Sequence, residues 1–154
     1  MKLKIIAVGT LKGGPERVLV DDYLARLKRT GRAVGLRDAA EIECASGGGC
    51  DSEAERLLSR CDRSGRIILL DEGGKAHSSE GFAQQLGRLR DSGCPEAAFL
   101  IGGAEGHGAA IREAADQSLA FGPQTWPHKL VRVMLAEQLY RAATILAGQP
   151  YHKA

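Results

Sequence analysis

The chain alternates short apolar runs with stretches of helical periodicity along most of its length. The runs "KIIAVG", "RIILLD" and "AAFLIGG" have the length and composition of buried strands. Between the first two, Pro15 can occupy the first turn of a helix, and Val20, Tyr23, Leu24 and Leu27 follow the spacing of one buried face. Strands that alternate with helices predict an α/β fold with a mainly parallel sheet.

Weaker segments complete this pattern. The segments "RAVGLRDAAEIE" and "SLAFG" predict two further strands, and "HGAAIREAADQ" predicts a short helix. We expect Asp51 or Ser52 to cap a helix after the flexible loop "SGGGC". The segment "EGGKAHSS" is expected to turn the chain before Ser78 or Ser79 caps the next helix. With no linker and no internal repeat, residues 1–154 are predicted to form one domain.

The longest predicted helix runs from Pro127 to about Ala147 and is apolar on almost every side. Such a helix must be covered on more than one side. In a domain of this size the second cover is either the rest of a monomer or another subunit. We expect a subunit interface, and therefore a homodimer.

Composition excludes several classes of protein. No run approaches the ~20 apolar residues of a membrane span, and the opening "MKLKIIAVGT" fits a strand better than a signal peptide. The simplest location is therefore the cytoplasm. The four cysteines form no CxxC pair, so neither a structural metal nor a disulfide framework is expected. The net charge of +2 neither indicates nor excludes a nucleic-acid partner.

Glycines cluster after the predicted strands, in "GTLKGG", "DEGGK" and "IGGAEGHG". Ligands of parallel α/β sheets bind beyond the carboxyl ends of the strands, where glycine allows close approach. None of these loops has the spacing of a dinucleotide or P-loop motif, so each one alone is also explained as a tight turn. The loop "SLAFGPQTWPHKL" carries Trp126, the only tryptophan, which either contacts an adenine-like plane or fills the core.

The motifs together resemble a known family. "LLDEGGKAHSSEGFAQQL", "FLIGGAEG", "PHKLVRVMLAEQLYRA" and the terminal "PYHKA" occur in the order found in the large-subunit ribosomal RNA methyltransferase H family of the SPOUT superfamily. The resemblance covers nearly the whole chain and is weakest around residues 30–50. Ala104 stands where many relatives have proline, Lys153 where arginine is frequent, and the "ASGGGC" loop is unusually rich in glycine.

The resemblance implies a single-domain SPOUT fold with a C-terminal trefoil knot, in a homodimer. The sequence alone would not predict a knot, because threaded chains are essentially absent from protein folds. The implied activity is methylation of N3 of a pseudouridine in 23S ribosomal RNA of the large subunit, on assembled ribosomes. The implied cofactor is S-adenosylmethionine, and no metal is required.

The resemblance also implies roles for individual residues. The cofactor is expected to lie among Leu70, Gly102 and the loop formed by Phe121, Gly122, Pro123, Gln124, Thr125 and Trp126. At position 102, a Cβ atom would push a ligand away from the backbone. In the tail, His152 and Tyr151 are the catalytic candidates, because the target nitrogen must lose a proton. The tail is expected to close over a cofactor site, either its own or that of the partner subunit.

Lys153, Arg141 and His128 are the candidates for contact with ribosomal RNA. The tail could instead be a frayed end. His128 could serve only to cap or pack its helix, and Arg141 is expected to pair with Glu137 four residues earlier.

The loop residue Lys75 meets either phosphate or solvent, and His77 and His107 are expected to face solvent. From the residues alone, two other functions stay open: a different nucleotide-dependent α/β enzyme, and a non-enzymatic module that binds ribosomes.

Overall fold

A computed structural model describes residues 1–153 of the chain, and Ala154 lies outside the described part. The strands and helices follow in the order β1 (Lys2–Val8), α1 (Pro15–Ala33), β2 (Arg37–Cys44), α2 (Gly49–Leu58), β3 (Arg66–Ala76), α3 (Ser79–Asp91), β4 (Glu96–Ile101), α4 (Ala109–Ala114), β5 (Gln117–Ala120) and α5 (His128–Leu146). The five strands form one sheet in the order β2-β1-β4-β3-β5, and all neighbouring strands are parallel. The predicted α/β fold with a parallel sheet is confirmed.

Apolar side chains cover both faces of the sheet, as expected for parallel strands. In β1, Leu3 and Ile5 pack into the larger core, whereas Ile6 and Val8 pack into the smaller one. The larger core contains side chains of α1, α3 and α5, and the smaller core contains side chains of α2 and α4. Successive side chains of a strand point to opposite faces of the sheet, and both faces are buried. The strands therefore appear in the sequence as continuous apolar runs.

Strand β3 continues past the point where a turn was predicted. The register of its pairing with β5 shifts between Leu70 and Lys75, after which Lys75 and Ala76 pair with β5. A Cβ atom at Gly74 would lie 2.7 Å from the backbone nitrogen of Leu119, so only glycine allows the strands to approach this closely. The glycine-rich segment therefore carries an irregular continuation of the strand.

The first turns of two helices differ from each other. Helix α3 begins as predicted, because the Ser78 hydroxyl accepts a hydrogen bond of 3.0 Å from the backbone N–H of Gly81. The prediction for α2 was wrong: its N-cap is Gly48, without a side-chain hydrogen bond. Gly47, Gly48 and Gly49 all have positive φ angles, which explains the run of glycines in this loop.

Helix α5 packs against α1 and α3 and carries one buried charge that its apolar pattern did not indicate. Arg132 is only 1% exposed. Its guanidinium lies 2.8 Å from a carboxylate oxygen of Glu41 and 3.0 Å from one of Glu43, and donates to the carbonyl oxygen of Gly9. These bonds attach α5 to the ends of β1 and β2. Among the helices of residues 1–153, none is both long and apolar enough to cross a membrane.

Candidate functional site

A cavity of about 400 Å³ lies beside Leu70 in β3 and at the carboxyl ends of β4 and β5. The loops that follow these strands form its walls, because parallel strands deliver their ends to the same edge of the sheet. The predicted cofactor-binding residues that line it are Leu70, Gly102, Phe121, Gly122, Gln124, Thr125 and Trp126; Pro123 is not among the lining residues. His128, at the start of α5, also lines the cavity.

Two hydrogen bonds fix the loop from Phe121 to Trp126. The indole Nε1 of Trp126 donates to the carbonyl oxygen of Phe121 at 3.1 Å, and the Thr125 hydroxyl donates to Glu72 at 2.5 Å. Gly122 turns the chain with a φ of 96°. Trp126 is 40% exposed, so it does not fill the core and is available at the wall of the cavity.

His107 also lines the cavity, and the expectation that it faces solvent was wrong. Its Nε2 lies 2.8 Å from the carbonyl oxygen of Leu70. Because a carbonyl oxygen only accepts, Nε2 carries the proton, and Nδ1 of the neutral ring is left as an acceptor. A Cβ atom at Gly102 would lie 2.6 Å from Cε1 of His107. Glycine at position 102 therefore makes room for the imidazole as well as for a ligand.

Acidic side chains lie along one side of the cavity. Asp71 and Glu72 follow Leu70 in β3, and both line it. The Asp71 carboxylate is nearly buried and forms an ion pair with Arg112 of α4. This pair joins the wall formed by β3 to the helix that follows the "IGGAEGHG" loop.

The cavity fits a nucleoside cofactor. Its volume is within the range of about 300–1,000 Å³ that is usual for small-molecule sites. Gly102, Gly103, Gly106 and Gly122 leave much of its wall as bare backbone, which can come close to a ligand and donate or accept hydrogen bonds. Trp126 adds an aromatic wall. Among residues 1–153, no group of three His, Cys, Asp or Glu side chains could hold a metal ion.

Tyr151 and His152 pack against α3 and α5. The Tyr151 hydroxyl donates to Glu137 at 3.0 Å, and its ring packs on Tyr140 with the centroids 4.7 Å apart. The Arg141 guanidinium lies 4.8 Å from the centre of the Tyr151 ring and forms the predicted ion pair with Glu137 at 2.7 Å. Lys153 is exposed.

His152 has polar partners on both sides of its ring. Nε2 lies 2.6 Å from Oε1 of Glu80, and Nδ1 lies 3.2 Å from the Arg141 guanidinium. The hydrogen bond from His152 holds the pKa of the Glu80 carboxyl below its usual range. Burial, and then the hydrogen bond to Glu137, raise the pKa of Tyr151 to about 12. Tyr151 is therefore a hydrogen-bond donor at neutral pH and not a base.

The cavity and the tail form two separate groups of residues within one chain. The polar and aromatic partners of Tyr151 and His152 are Glu80, Glu137, Tyr140 and Arg141, and none of these lines the cavity. The sequence predicted roles for the cavity residues and for the tail, but it could not show that the two groups lie apart within one chain. It also missed Asp71, although an acid at the end of an apolar run was a usable signal.

Comparison with known proteins gives consistent results. Residues 1–152 match the family model described as "Predicted SPOUT methyltransferase". The chain is 60% identical over 154 residues to ribosomal RNA large subunit methyltransferase H of Hyphomonas neptunium, with 100% of both chains covered. It is 54% identical to the protein of the same name from Maricaulis maris, with 99% of both chains covered.

Among solved structures, the chain is similar to one from Legionella pneumophila that is described as a methyltransferase with the bound cofactor SAM. The sequence identity is 10%, the TM-score is 0.44, and the match covers 89% of this chain and 65% of that one. A likeness of this degree supports no conclusion about the present site.

Proposed function

The chain belongs to the SPOUT methyltransferases, in the family of ribosomal RNA large subunit methyltransferase H, and from this we propose that it methylates large-subunit ribosomal RNA. S-adenosylmethionine is its cofactor. The acceptor is N3 of a pseudouridine, presented on the assembled ribosome. The observation that carries the proposal is the cavity at the sheet edge, whose walls contain nearly all the residues expected to bind the cofactor.

The residues around the cavity can hold both the adenine and the positively charged part of such a cofactor. The loop from Phe121 to Trp126 offers backbone groups and an aromatic wall to the adenine. Gly102 offers bare backbone beside it, and Leu70 also lines the wall. The Glu72 carboxylate in the wall suits a ligand that carries positive charge, whereas the charge of Asp71 is already paired with Arg112. When bound, S-adenosylmethionine supplies a methyl group on a positively charged sulfur.

The acceptor nitrogen must lose a proton, and His152 is the group that we assign to this step. In the free chain its Nδ1 accepts from the Arg141 guanidinium. If Arg141 turns toward an RNA phosphate, Nδ1 becomes available to take the proton, while Glu80 continues to accept from Nε2. Tyr151, whose pKa lies near 12, stays protonated and orients the tail. Lys153 and His128 are left to contact the RNA.

We place the tail of one chain over the cavity of a second chain, because the described chain keeps its own tail on α3 and α5. The surface of α1 and α5 supports a dimer: Val18, Leu19 and Leu130 are exposed apolar residues. A second cavity of about 410 Å³ has Leu19 in its wall, together with Phe82, Val133 and Met134. The proposal includes one domain over the whole chain, the C-terminal knot and a cytoplasmic location.

Methyl transfer from labelled S-adenosylmethionine tests the proposed function. We expect label in the large-subunit RNA of intact ribosomes and much less in naked RNA, with the label mapping to N3 of a single pseudouridine. Label on another base would contradict the assigned acceptor. Ribosome binding without any calorimetric signal for S-adenosylmethionine would instead indicate a non-enzymatic ribosome-binding module.

A further inference from the structure

Glu53 of α2 is a buried carboxylate that the proposed chemistry does not use. It is 5% exposed and lies in the layer of α2 and α4, on the opposite face of the sheet from α5. Its Oε1 accepts a hydrogen bond of 2.8 Å from the backbone N–H of Gly47. Its Oε2 is buried without a hydrogen-bond partner among the described residues. A buried carboxylate oxygen in this condition is costly and calls for an explanation.

The carboxylate lies directly behind the wall of the cofactor cavity. A Cβ atom at Gly103 would be 3.0 Å from Oε2 and 3.4 Å from Oε1 of Glu53. Gly103 itself lines the cavity. Because glycine has no side chain, the carboxylate can pack this closely against the backbone of Gly103. The glycine-rich loop before α2 holds the carboxylate there through the N–H of Gly47.

The described residues supply no cation to neutralise this charge directly. Arg56, one helical turn along α2, directs its guanidinium to the carbonyl oxygen of Gly47 instead. Glu53 forms no ion pair within the described part of the chain, whereas Asp71 on the far side of the cavity is paired with Arg112. The charge of Glu53 is thus not cancelled by a direct ion pair within the described residues, and it contributes to the electrostatic field in the cavity.

We propose that Glu53 makes the cavity discriminate by charge between the cofactor and the spent cofactor. This inference rests on the proposed function, in which the ligand is S-adenosylmethionine. The sulfur of that ligand carries a positive charge, and the sulfur of its product, S-adenosylhomocysteine, is neutral. The two ligands share their adenosine and their amino-acid group, so a fixed negative charge behind Gly103 favours binding of the first over the second.

Coulomb's law gives the size of the effect. At an effective dielectric constant of about 20, two unit charges change a binding equilibrium by roughly tenfold at a separation of ~12 Å, and by more at shorter separations. The amino-acid group contributes equally to both ligands and cancels in the ratio of their dissociation constants. This ratio isolates the charge of the sulfur.

The test is calorimetric titration of the full chain with each ligand separately. Glu53→Gln removes the charge with little change in shape, and Glu53→Ala is a second variant that leaves no buried amide. Glu55→Gln is the matched control, because Glu55 lies on the same helix but is exposed. Thermal unfolding of each variant establishes that it is folded.

In Glu53→Gln we expect the dissociation constant of S-adenosylmethionine to rise roughly tenfold, and that of S-adenosylhomocysteine to change less than about twofold. Glu55→Gln should leave both unchanged. If both ligands lost affinity equally, the ratio of their dissociation constants would be unchanged. Glu53 would then be a purely structural support for the loop, and the inference would be overturned. If the unaltered chain bound neither ligand, the proposed function itself would fail. If the unaltered chain bound both ligands, and Glu53→Gln left the ratio of their dissociation constants unchanged, only this inference would fail.

Discussion

Replacing Gly102 with valine tests the position of the cofactor site. A Cβ atom at this residue would lie 2.6 Å from Cε1 and 2.8 Å from Nδ1 of His107, well inside ordinary contact distance. The imidazole must therefore move, and its hydrogen bond to the Leu70 carbonyl is lost. Leaving this buried acceptor unpaired costs about 1–3 kcal/mol of folding stability. The two methyl groups of valine then fill the cavity, so we expect no measurable binding.

The assay is calorimetric titration with S-adenosylmethionine, with circular dichroism to establish that the fold is retained. Gly13→Val is the matched control, because a Cβ atom at Gly13 meets nothing within 4 Å. Two effects of a side chain at position 102 can be separated: its collision with His107 and its collision with the ligand. The comparison of Gly102→Ala with Gly102→Ala/His107→Ala isolates the first. The double variant should recover part of the lost affinity. Unchanged affinity in Gly102→Val would refute the assigned site.

Three further predictions concern the tail and the assembly. Removing residues 151–154 should leave a folded protein that binds S-adenosylmethionine, with methyl transfer reduced ~10²–10⁴-fold; a full rate would make the tail a frayed end. Accordingly, His152→Ala should lower turnover at saturating ribosomes, whereas Lys153→Ala should mainly weaken ribosome binding and its salt dependence. The folded pKa of Tyr151 is raised from 10.0 to about 12, so the stability that its hydrogen bond contributes is complete below pH 10 and is lost as the pH rises through 12. Ultraviolet titration of tyrosinate should show an ionisation step near pH 12 that is absent from Tyr151→Phe; the same late step in both proteins would contradict this. Light scattering should give twice the chain mass of 16.4 kDa, and a monomer at micromolar concentration would contradict the dimer formed through residues 130–146.

The sequence predicted the sheet and the position of the cavity because both depend on local patterns. Apolar runs such as "RIILLD" indicate buried strands without any knowledge of their neighbours. In parallel sheets the loops after such strands meet at one edge, which agrees with the resemblance that placed Leu70 and Gly102 at one site.

The sequence did not reveal features that depend on the path of the chain in space. His107 occupies the cavity only because its loop folds back onto β3, which no periodicity reports. The burial of Arg132 depends on Glu41 and Glu43, roughly 90 residues away in the sequence, so the helical pattern does not report it. Glu53 resembles any helix glutamate until Gly103 is seen beside it.

The central claim, that one chain supplies the cavity and its partner supplies the tail, is tested most directly by mixing two inactive variants. Gly102→Val has a blocked cavity and an intact tail. His152→Ala has an intact cavity and a tail that lacks the imidazole. If the tail acts on the partner's cavity, each mixed dimer contains one complete site. Random exchange of subunits in equal amounts then restores about a quarter of the unaltered rate of methyl transfer to ribosomes, because about half of the dimers are mixed and each has one of two sites. If the mixture stayed as inactive as its separate components after verified exchange, the shared site would be contradicted.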